Sequence, residues 1–280
     1  MRFASVLHGD RRLAVAVEDD RLIPLRGHLE LGAGTTSEVL AHASLDRSGV
    51  IPAAEATFLP AVPRPEKVIC VGLNYRAHVE ESHRDLPAYP VLFTKFASSL
   101  TGPYEPIPCP PESDAVDYEG ELAVVIGARC RRVAAERALG VVAGYTVAND
   151  ITMRDYQNRT HQWLQGKAWD RSTPIGPVLV TPDEVGDASA LTIRTIVNGR
   201  TVQEAGAETM IFPVAKLIST ISEFATLEPG DLILTGTPAG VGFRREPPLL
   251  LGDGDIVEVE IDGIGRIENR IAAEVTMPVA

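Results

Sequence analysis

Short apolar runs separated by turn residues make up much of the chain and predict a protein rich in β-strands. In the N-terminal part, residues 3–7, 13–17 and 22–25 are such runs, and residues 8–10 and 18–20 are polar turns between them. Short runs bounded by glycine and aspartate are typical of strands joined by tight turns. We therefore expect a small β meander at the N-terminus.

Further strands are predicted after a proline-rich stretch. Pro60, Pro63 and Pro65 mark this stretch as a linker, and we place a domain boundary near residue 62, between a small N-terminal domain (1–62) and a larger domain (63–280). In the larger domain, Asn198-Gly199 between two alternating runs predicts a hairpin. The other strands predicted there are residues 67–72, 122–127, 141–149, 232–234, 256–261 and 264–271.

Helices are fewer in this pattern. Apolar residues recur at helical spacing between Ile211 and Phe224, and Pro213 fits such a helix only near its first turn. Shorter helices are expected around residues 37–44 and 133–139. Residues 78–89 are polar without an apolar period, which predicts a loop or a mobile flap. Strands outnumber helices and most neighbouring strands look antiparallel, so the predicted class is a β-rich α+β fold.

The charge balance narrows the classes of partner. The formal net charge is −12, whereas nucleic acids and anionic membranes both require a basic surface. No stretch approaches the ~18 apolar residues of a membrane helix, and no apolar signal-peptide core follows Met1. Cys70, Cys109 and Cys130 lack metal-ligand spacing and are expected to be reduced thiols. We therefore expect a cytoplasmic protein without nucleic-acid or membrane partners, in which an anionic substrate needs locally placed cations.

Two glutamates at the start of a predicted strand are candidate metal ligands. Glu119 and Glu121 are two residues apart, so their carboxylates project from the same face of a strand and repel each other unless a cation lies between them. The very apolar run after Glu121 places that residue at the edge of the core. The alternative is a solvated strand edge with both carboxylates in water.

Asp150 is a third candidate because it ends an apolar strand. Its alternative role is to cap the next helix. If residues 150–157 are helical, Asp150, Arg154 and Gln157 share one face and combine an acid, a cation and an amide, a combination that suits an oxo-acid. Oxygen-only ligation favours Mg²⁺, Mn²⁺ or Ca²⁺ over zinc, and three ligands leave about three of six octahedral positions free for water or a chelating substrate.

Five motifs together resemble the fumarylacetoacetate hydrolase superfamily, in the order and at the spacing of that family. The resemblance covers about residues 65–275 and implies a mixed β-sandwich roll for the catalytic domain, with residues 1–62 as the small N-terminal domain that many members carry. It also implies a homodimer. The motifs are residues 71–75 with His78 and Glu81, then 117–122, 144–157, 166–167 and 235–242.

The resemblance also implies roles for individual residues. Glu119, Glu121 and Asp150 match the metal ligands, with Mg²⁺ or Mn²⁺ as the usual ion. His78 and Glu81 match the His-x-x-Glu pair on the flap of acylpyruvate hydrolases. The remaining matches are Lys167 as the active-site lysine, Arg154 and Gln157 as residues that orient the substrate, and Thr237 as the threonine that binds the substrate carboxylate. His8, His28, His42, His83 and His161 are expected to be structural or solvent-facing.

These roles suggest hydrolysis of a carbon–carbon bond in an acylpyruvate. The carboxylate and 2-oxo oxygen of the substrate would chelate the metal, which would stabilise the enolate formed when the C3–C4 bond breaks. His78, oriented by Glu81, would deprotonate the attacking water, and Lys167 would counter the developing negative charge. Closure of the flap at residues 76–89 would exclude bulk water. The products would be pyruvate, or a relative of it, and an acid.

Other functions remain open at this point. The same enolate serves an oxaloacetate decarboxylase, or an isomerase of 2-hydroxy-dienedioates or 5-carboxymethyl-2-hydroxymuconate. The Glu119–Glu121 pair also has a spacing compatible with the acid and base of a glycosidase. Finally, the cation could serve only the stability of a non-catalytic module. Activity in excess chelator distinguishes the glycosidase, and alanine at Lys167 or His78 distinguishes the non-catalytic module.

Overall fold

The computed structural model describes residues 1–274 of the chain. Strands dominate it, and the β-rich α+β class that the sequence predicts is confirmed. The strands are β1 (Arg2–His8), β2 (Arg11–Glu18), β3 (Arg21–Pro24), β4 (Ile51–Pro52), β5 (Thr57–Phe58), β6 (Val68–Gly72), β7 (Val91–Lys95), β8 (Leu100–Thr101), β9 (Ile107–Cys109), β10 (Val116–Asp117), β11 (Gly120–Ile126), β12 (Val142–Asn149), β13 (Thr152–Met153), β14 (Thr173–Val180), β15 (Thr192–Val197), β16 (Arg200–Gly206), β17 (Leu232–Leu234), β18 (Ile256–Ile261) and β19 (Gly265–Ala273).

The helices are short, apart from one. They are α1 (Ser37–Ala41), α2 (Arg76–Glu81), α3 (Ala135–Ala138), α4 (Arg154–Gln157), α5 (Leu164–Lys167), α6 (Pro182–Val185) and α7 (Val214–Phe224). Single 3₁₀ turns occur at Ala53–Glu55, Ala97–Ser99, Leu139–Val141, Ala188–Ala190, Ala207–Thr209 and Gly242–Arg244. In the described part of the chain, no helix is long and apolar enough to span a membrane.

Most strands belong to one 12-stranded sheet, whose main path runs β4-β3-β2-β1-β14-β12-β11-β17-β6-β7. The central strand β11 is buried along its whole length, as its apolar sequence predicts. It pairs antiparallel with both β12 and β17. A second sheet of five strands, β16-β15-β18-β19-β9, contains the predicted hairpin at Asn198-Gly199 and the predicted C-terminal pair of strands.

The N-terminal meander continues the large sheet. Strand β1 pairs with β2 on one side and with β14 on the other, where Phe3 lies opposite Leu179. The apolar side chains of the meander consequently share the core of the larger part of the chain. The domain boundary near residue 62 stays a prediction.

Two local predictions differ from the structure, and both lie next to the candidate site. The polar segment expected to be a loop or flap begins with a helix, α2, which buries His78 and Val79. The conditional helix over residues 150–157 is wrong, because Thr152 pairs with Asp117 in the two-stranded sheet β10-β13 and only Arg154–Gln157 is helical. Tertiary pairing therefore overrides the local helical pattern after Asp150.

Candidate active site

Three buried carboxylates meet where β11 begins and β12 ends. Glu119 stands just before β11, Glu121 is its second residue, and Asp150 follows β12. The backbone N–H of Asp150 donates to the carbonyl of Glu119 at 2.8 Å, which joins the two strand ends. Carboxylate oxygens from all three residues lie within 4.8 Å of one another. The side chains that two separate motifs contribute therefore form one cluster.

Three cations hold two of these carboxylates. The Lys167 ammonium lies 2.6 Å from Glu119 and 2.8 Å from Asp150, and the Lys95 ammonium lies 2.5 Å from the other oxygen of Asp150. The Arg154 guanidinium contacts Glu119 at 2.7 Å. Although burial alone would raise the pKa of Glu119, Lys167 and Arg154 lower it to about 2. Glu119 is therefore a firmly ionised carboxylate.

Glu121 is the exception in this cluster. Within residues 1–274 it has no salt-bridge partner, and its carboxylate accepts the Gly236 N–H at 2.7 Å. Burial, together with the charges of Asp150 and Glu119, raises its pKa well above the usual value. A hard divalent cation among the three carboxylates would relieve this repulsion, and oxygen ligands are the kind that such cations select. The donor set therefore fits a divalent metal ion.

The His78–Glu81 pair lies on helix α2, where residues three apart share a face. His78 Nδ1 is 2.7 Å from one Glu81 oxygen, and the second oxygen accepts the Gly240 N–H at 2.8 Å. Because a carboxylate only accepts hydrogen bonds, we assign the ring proton to Nδ1, which leaves Nε2 as the free acceptor. The pair is thereby fixed to the glycine-rich segment at residues 235–242.

Arg154 is held by Asp117, a residue for which no role was predicted from the sequence. Both Arg154 Nε and Nη2 lie 2.8 Å from Asp117 Oδ2, while Nη1 donates to Gln157 at 3.0 Å. Asp117 also accepts the N–H groups of Gly242 and Phe243 at 2.8 and 3.1 Å. One buried carboxylate thus positions both the guanidinium and the 3₁₀ turn at Gly242–Arg244.

Lys95 is the other residue that the sequence reasoning missed. It ends the apolar strand β7 and is 3% exposed. A lysine is rarely buried unless it is paired, so a lysine that closes an apolar run was the available signal. Its partner Asp150 lies 55 residues further along the chain, and nothing local announces that pairing.

One cavity brings together six of the nine predicted site residues, and Arg84 and Arg244 also line it. Of the other three predicted residues, Glu81 supports His78, and Glu121 and Asp150 complete the carboxylate cluster. None of the other five histidines is among the residues that line this cavity in the described part of the chain. The six lining residues are His78, Glu119, Arg154, Gln157, Lys167 and Thr237.

Comparisons with known proteins agree with this arrangement. A bovine (Bos taurus) protein named oxaloacetate tautomerase FAHD2A, mitochondrial, is 47% identical over 87% of this chain and 78% of its own length. The solved structure of a fumarylacetoacetate hydrolase from Exiguobacterium antarcticum has a TM-score of 0.86, at 35% identity over 98% of this chain and 100% of that one. A 5-carboxymethyl-2-hydroxymuconate delta-isomerase from Mycobacterium smegmatis has a TM-score of 0.84, at 34% identity with the same coverage.

These relatives correct one expectation and establish the family. The cytoplasmic prediction is contradicted, because curated relatives such as the bovine and human FAHD2A proteins are named as mitochondrial. The prediction relied on the absence of an apolar signal-peptide core, which bears on secretion, whereas mitochondrial transit peptides are amphipathic and Arg-rich. The family model described as fumarylacetoacetate (FAA) hydrolase C-terminal matches residues 67–272. The chain therefore belongs to the fumarylacetoacetate hydrolase family, whose members are enzymes.

Proposed function

We propose that the chain catalyses the keto–enol tautomerisation of a small 2-oxo acid of the oxaloacetate type, with a divalent cation on Glu119, Glu121 and Asp150. The observation that carries the proposal is the position of His78, which lines the same cavity as Glu119 and Lys167 and whose Nε2 has no hydrogen-bond partner within residues 1–274. The relatives named as oxaloacetate tautomerases support this choice of reaction, as does the structural neighbour named as an isomerase.

The reaction moves one proton, and His78 is the group that can carry it. In the keto form, Nε2 removes a proton from C3 of the substrate, and the electron pair of the C–H bond forms the enolate. Protonation of the enolate oxygen then gives the enol, and the reverse sequence regenerates the keto form. Glu81 stabilises the imidazolium that forms between the two transfers, because its oxygen is 2.7 Å from Nδ1.

The other residues bind and orient the substrate. A divalent cation, when bound, supplies Lewis acidity that favours the enolate charge. Lys167 uses two of its N–H groups on Glu119 and Asp150 and keeps a third for an anion in the cavity. Thr237 is fixed by Gln203, whose Nε2 donates to its hydroxyl oxygen at 2.8 Å, so the hydroxyl hydrogen remains for a substrate carboxylate. Arg154 and Gln157 are linked to each other beside it.

Hydrolysis of an acylpyruvate is the second candidate, and the same His78–Glu81 pair favours it. There His78 would take its proton from a water molecule that attacks the distal carbonyl, and the C3–C4 bond would break. Proton transfer alone needs no such water. A structural neighbour named as a fumarylacetoacetate hydrolase is 35% identical, whereas the relative named as an oxaloacetate tautomerase is 47% identical, which favours tautomerisation as the first candidate.

A substrate panel tests the proposal and separates the two candidates. Enol-oxaloacetate, acetylpyruvate, fumarylpyruvate and a 2-hydroxy-dienedioate are assayed with Mg²⁺, Mn²⁺ or EDTA, and enol loss, acid release and carbon dioxide release are followed separately. We expect metal-dependent loss of enol-oxaloacetate. His78→Ala should lower its rate by 10²–10⁴-fold, the usual contribution of a general base. His83→Ala is the matched control on the same segment, since His83 is exposed and does not line the cavity. No turnover of any compound would refute the proposal.

A further inference from the structure

The candidate active-site cavity is lined by more positive than negative charge. Arg84, Arg154, Lys167 and Arg244 line it, against the single carboxylate of Glu119 among its lining residues in the described chain. This balance is local, because the whole chain carries twelve more acidic than basic side chains. A cavity of this composition attracts anions. Two of its cations, Arg154 and Lys167, are buried, and the other two, Arg84 and Arg244, are exposed.

The two buried cations already form ion pairs with carboxylates of the protein. Arg154 and Lys167 are bonded to Asp117, Glu119 and Asp150 at 2.6–2.8 Å. Counting Lys95 as well, the inner site holds three cations against the carboxylates of Asp117, Glu119, Glu121, Asp150 and Glu81. A divalent cation would bring the sum of these charges to zero. The inner end then has no excess positive charge for a second carboxylate of the substrate.

The exposed cations, Arg84 and Arg244, have no such partners. Neither forms a salt bridge within residues 1–274, and no hydrogen bond from either guanidinium is found there. Some exposed arginines of this acidic protein do pair, for example Arg12 with Glu30 at 3.1 Å and Arg47 with Glu18 at 2.9 Å, whereas others such as Arg200 form no salt bridge in the described residues and lie away from the cavity. Two guanidinium groups that open onto one cavity are therefore available for an anionic ligand.

The backbones of both arginines are attached to the catalytic elements. The N–H of Arg84 donates to the carbonyl of Val79 at 3.2 Å, which ties this residue to the helix that carries His78. Arg244 ends the 3₁₀ turn whose first two N–H groups donate to Asp117. Its guanidinium lies 5.4 Å from the centre of the Phe243 ring, a cation–π contact that leaves its N–H groups free.

We propose that Arg84 and Arg244 form a subsite for the distal carboxylate of the substrate, so that the enzyme selects dicarboxylic over monocarboxylic 2-oxo acids. The inference rests on the proposed function, because the inner groups must take the first carboxylate and the 2-oxo group. The remaining negative charge of a dianion then meets the two guanidinium groups at the open end of the cavity.

The kinetic test compares enol-oxaloacetate with its 4-methyl ester, in which a neutral methyl ester replaces the distal carboxylate. Arg84→Gln and Arg244→Gln should each lower kcat/KM for oxaloacetate about fivefold, the upper range for exposed charge pairs. The double variant should lose about twentyfold, while the ester changes less than twofold in all variants. Arg200 is an exposed arginine at the start of β16, away from the cavity, so Arg200→Gln removes the same charge and should leave the rates with both substrates unchanged.

Equilibrium binding gives a readout that is independent of turnover. The Mg²⁺-loaded wild-type protein should bind 2-oxoglutarate more tightly than 2-oxovalerate, which has the same carbon chain without the distal carboxylate, and the double variant should lose that difference. If neither enol substrate reacts, the proposed function fails while this comparison still tests the subsite. Equal losses for charged and uncharged ligands, no loss for either, or an effect confined to one arginine would overturn the subsite.

Discussion

Replacing Glu121 with glutamine should affect stability in opposite directions with and without a divalent cation. Glutamine keeps the shape of the side chain and its carbonyl oxygen can still accept the Gly236 N–H. It removes the one carboxylate of the cluster that lacks a salt-bridge partner in residues 1–274. In the metal-free protein this change relieves repulsion, whereas in the metal-loaded protein it removes a ligand.

The magnitudes follow from the geometry. Two unit charges at the 4.8 Å limit of this cluster repel by ~3.5 kcal/mol at an effective dielectric constant of about 20. Because Lys167 and Arg154 offset the neighbouring charges, and because the raised pKa lets Glu121 take up a proton, we expect metal-free Glu121→Gln to gain between zero and about 3 kcal/mol. A cation at 100 times its Kd stabilises the wild-type fold by about 2.7 kcal/mol, and the variant should lose most of this gain.

Urea unfolding at neutral pH, in EDTA and in a Mg²⁺ or Mn²⁺ series, measures both effects. Glu258→Gln is the matched control, because Glu258 on β18 is also buried but pairs with Arg266 on β19, outside the cluster. The control should keep the full metal-dependent gain. Undiminished metal stabilisation in Glu121→Gln would show that this carboxylate is not a ligand, and a loss above ~1 kcal/mol in EDTA would show that it is not strained.

Two further substitutions probe the support of the cluster. Lys95→Met should lower the free energy of unfolding in EDTA by about 3–5 kcal/mol, because it leaves the buried Asp150 carboxylate with one cationic partner fewer. The control Lys216→Met removes an exposed lysine and should change this free energy by less than about 0.5 kcal/mol. Equal effects of the two substitutions would refute the role of Lys95 as a partner of Asp150. Gly120→Ala should reduce metal-dependent stabilisation in the same titration, since a Cβ there would collide with Thr195 Oγ1 and press on Val259 and so displace the segment between Glu119 and Glu121. Unchanged stabilisation by metal in that variant would contradict this reading.

Local patterns were enough to predict most strands of this fold. The hairpin at Asn198-Gly199 and the long helix after Pro213 both follow from turn chemistry and periodicity within a few residues. The pairing of β1 with β14 could not be predicted, because Phe3 and Leu179 are distant in the chain and no local signal links them. Helix α2 was missed for a similar reason: Val79 is its one buried apolar residue, so tertiary contacts rather than an apolar stripe hold it.

The candidate site was predictable to different depths. Strand alternation alone places Glu119 and Glu121 on one face, whereas Asp150 joins them through the β11–β12 pairing, which the sequence suggested only by family resemblance. Lys95 and Asp117 were missed because their partners, Asp150 and Arg154, lie 55 and 37 residues further along the chain and come close only in the folded protein. Their charges nevertheless decide whether the cluster can be buried at all.

The charge distribution assigns different tasks to the two ends of the cavity. Five carboxylates and three cations at the inner end leave a deficit that one divalent cation would balance, so burial of these groups costs least when the ion is present. The outer arginines carry charge that the protein itself does not neutralise within the described residues. Substitutions at Glu121 should therefore change metal-dependent stability, whereas substitutions at Arg84 and Arg244 should change substrate preference and leave that stability intact. A variant at the outer end that altered metal-dependent stability would show that the two ends are coupled and that the charge argument is wrong.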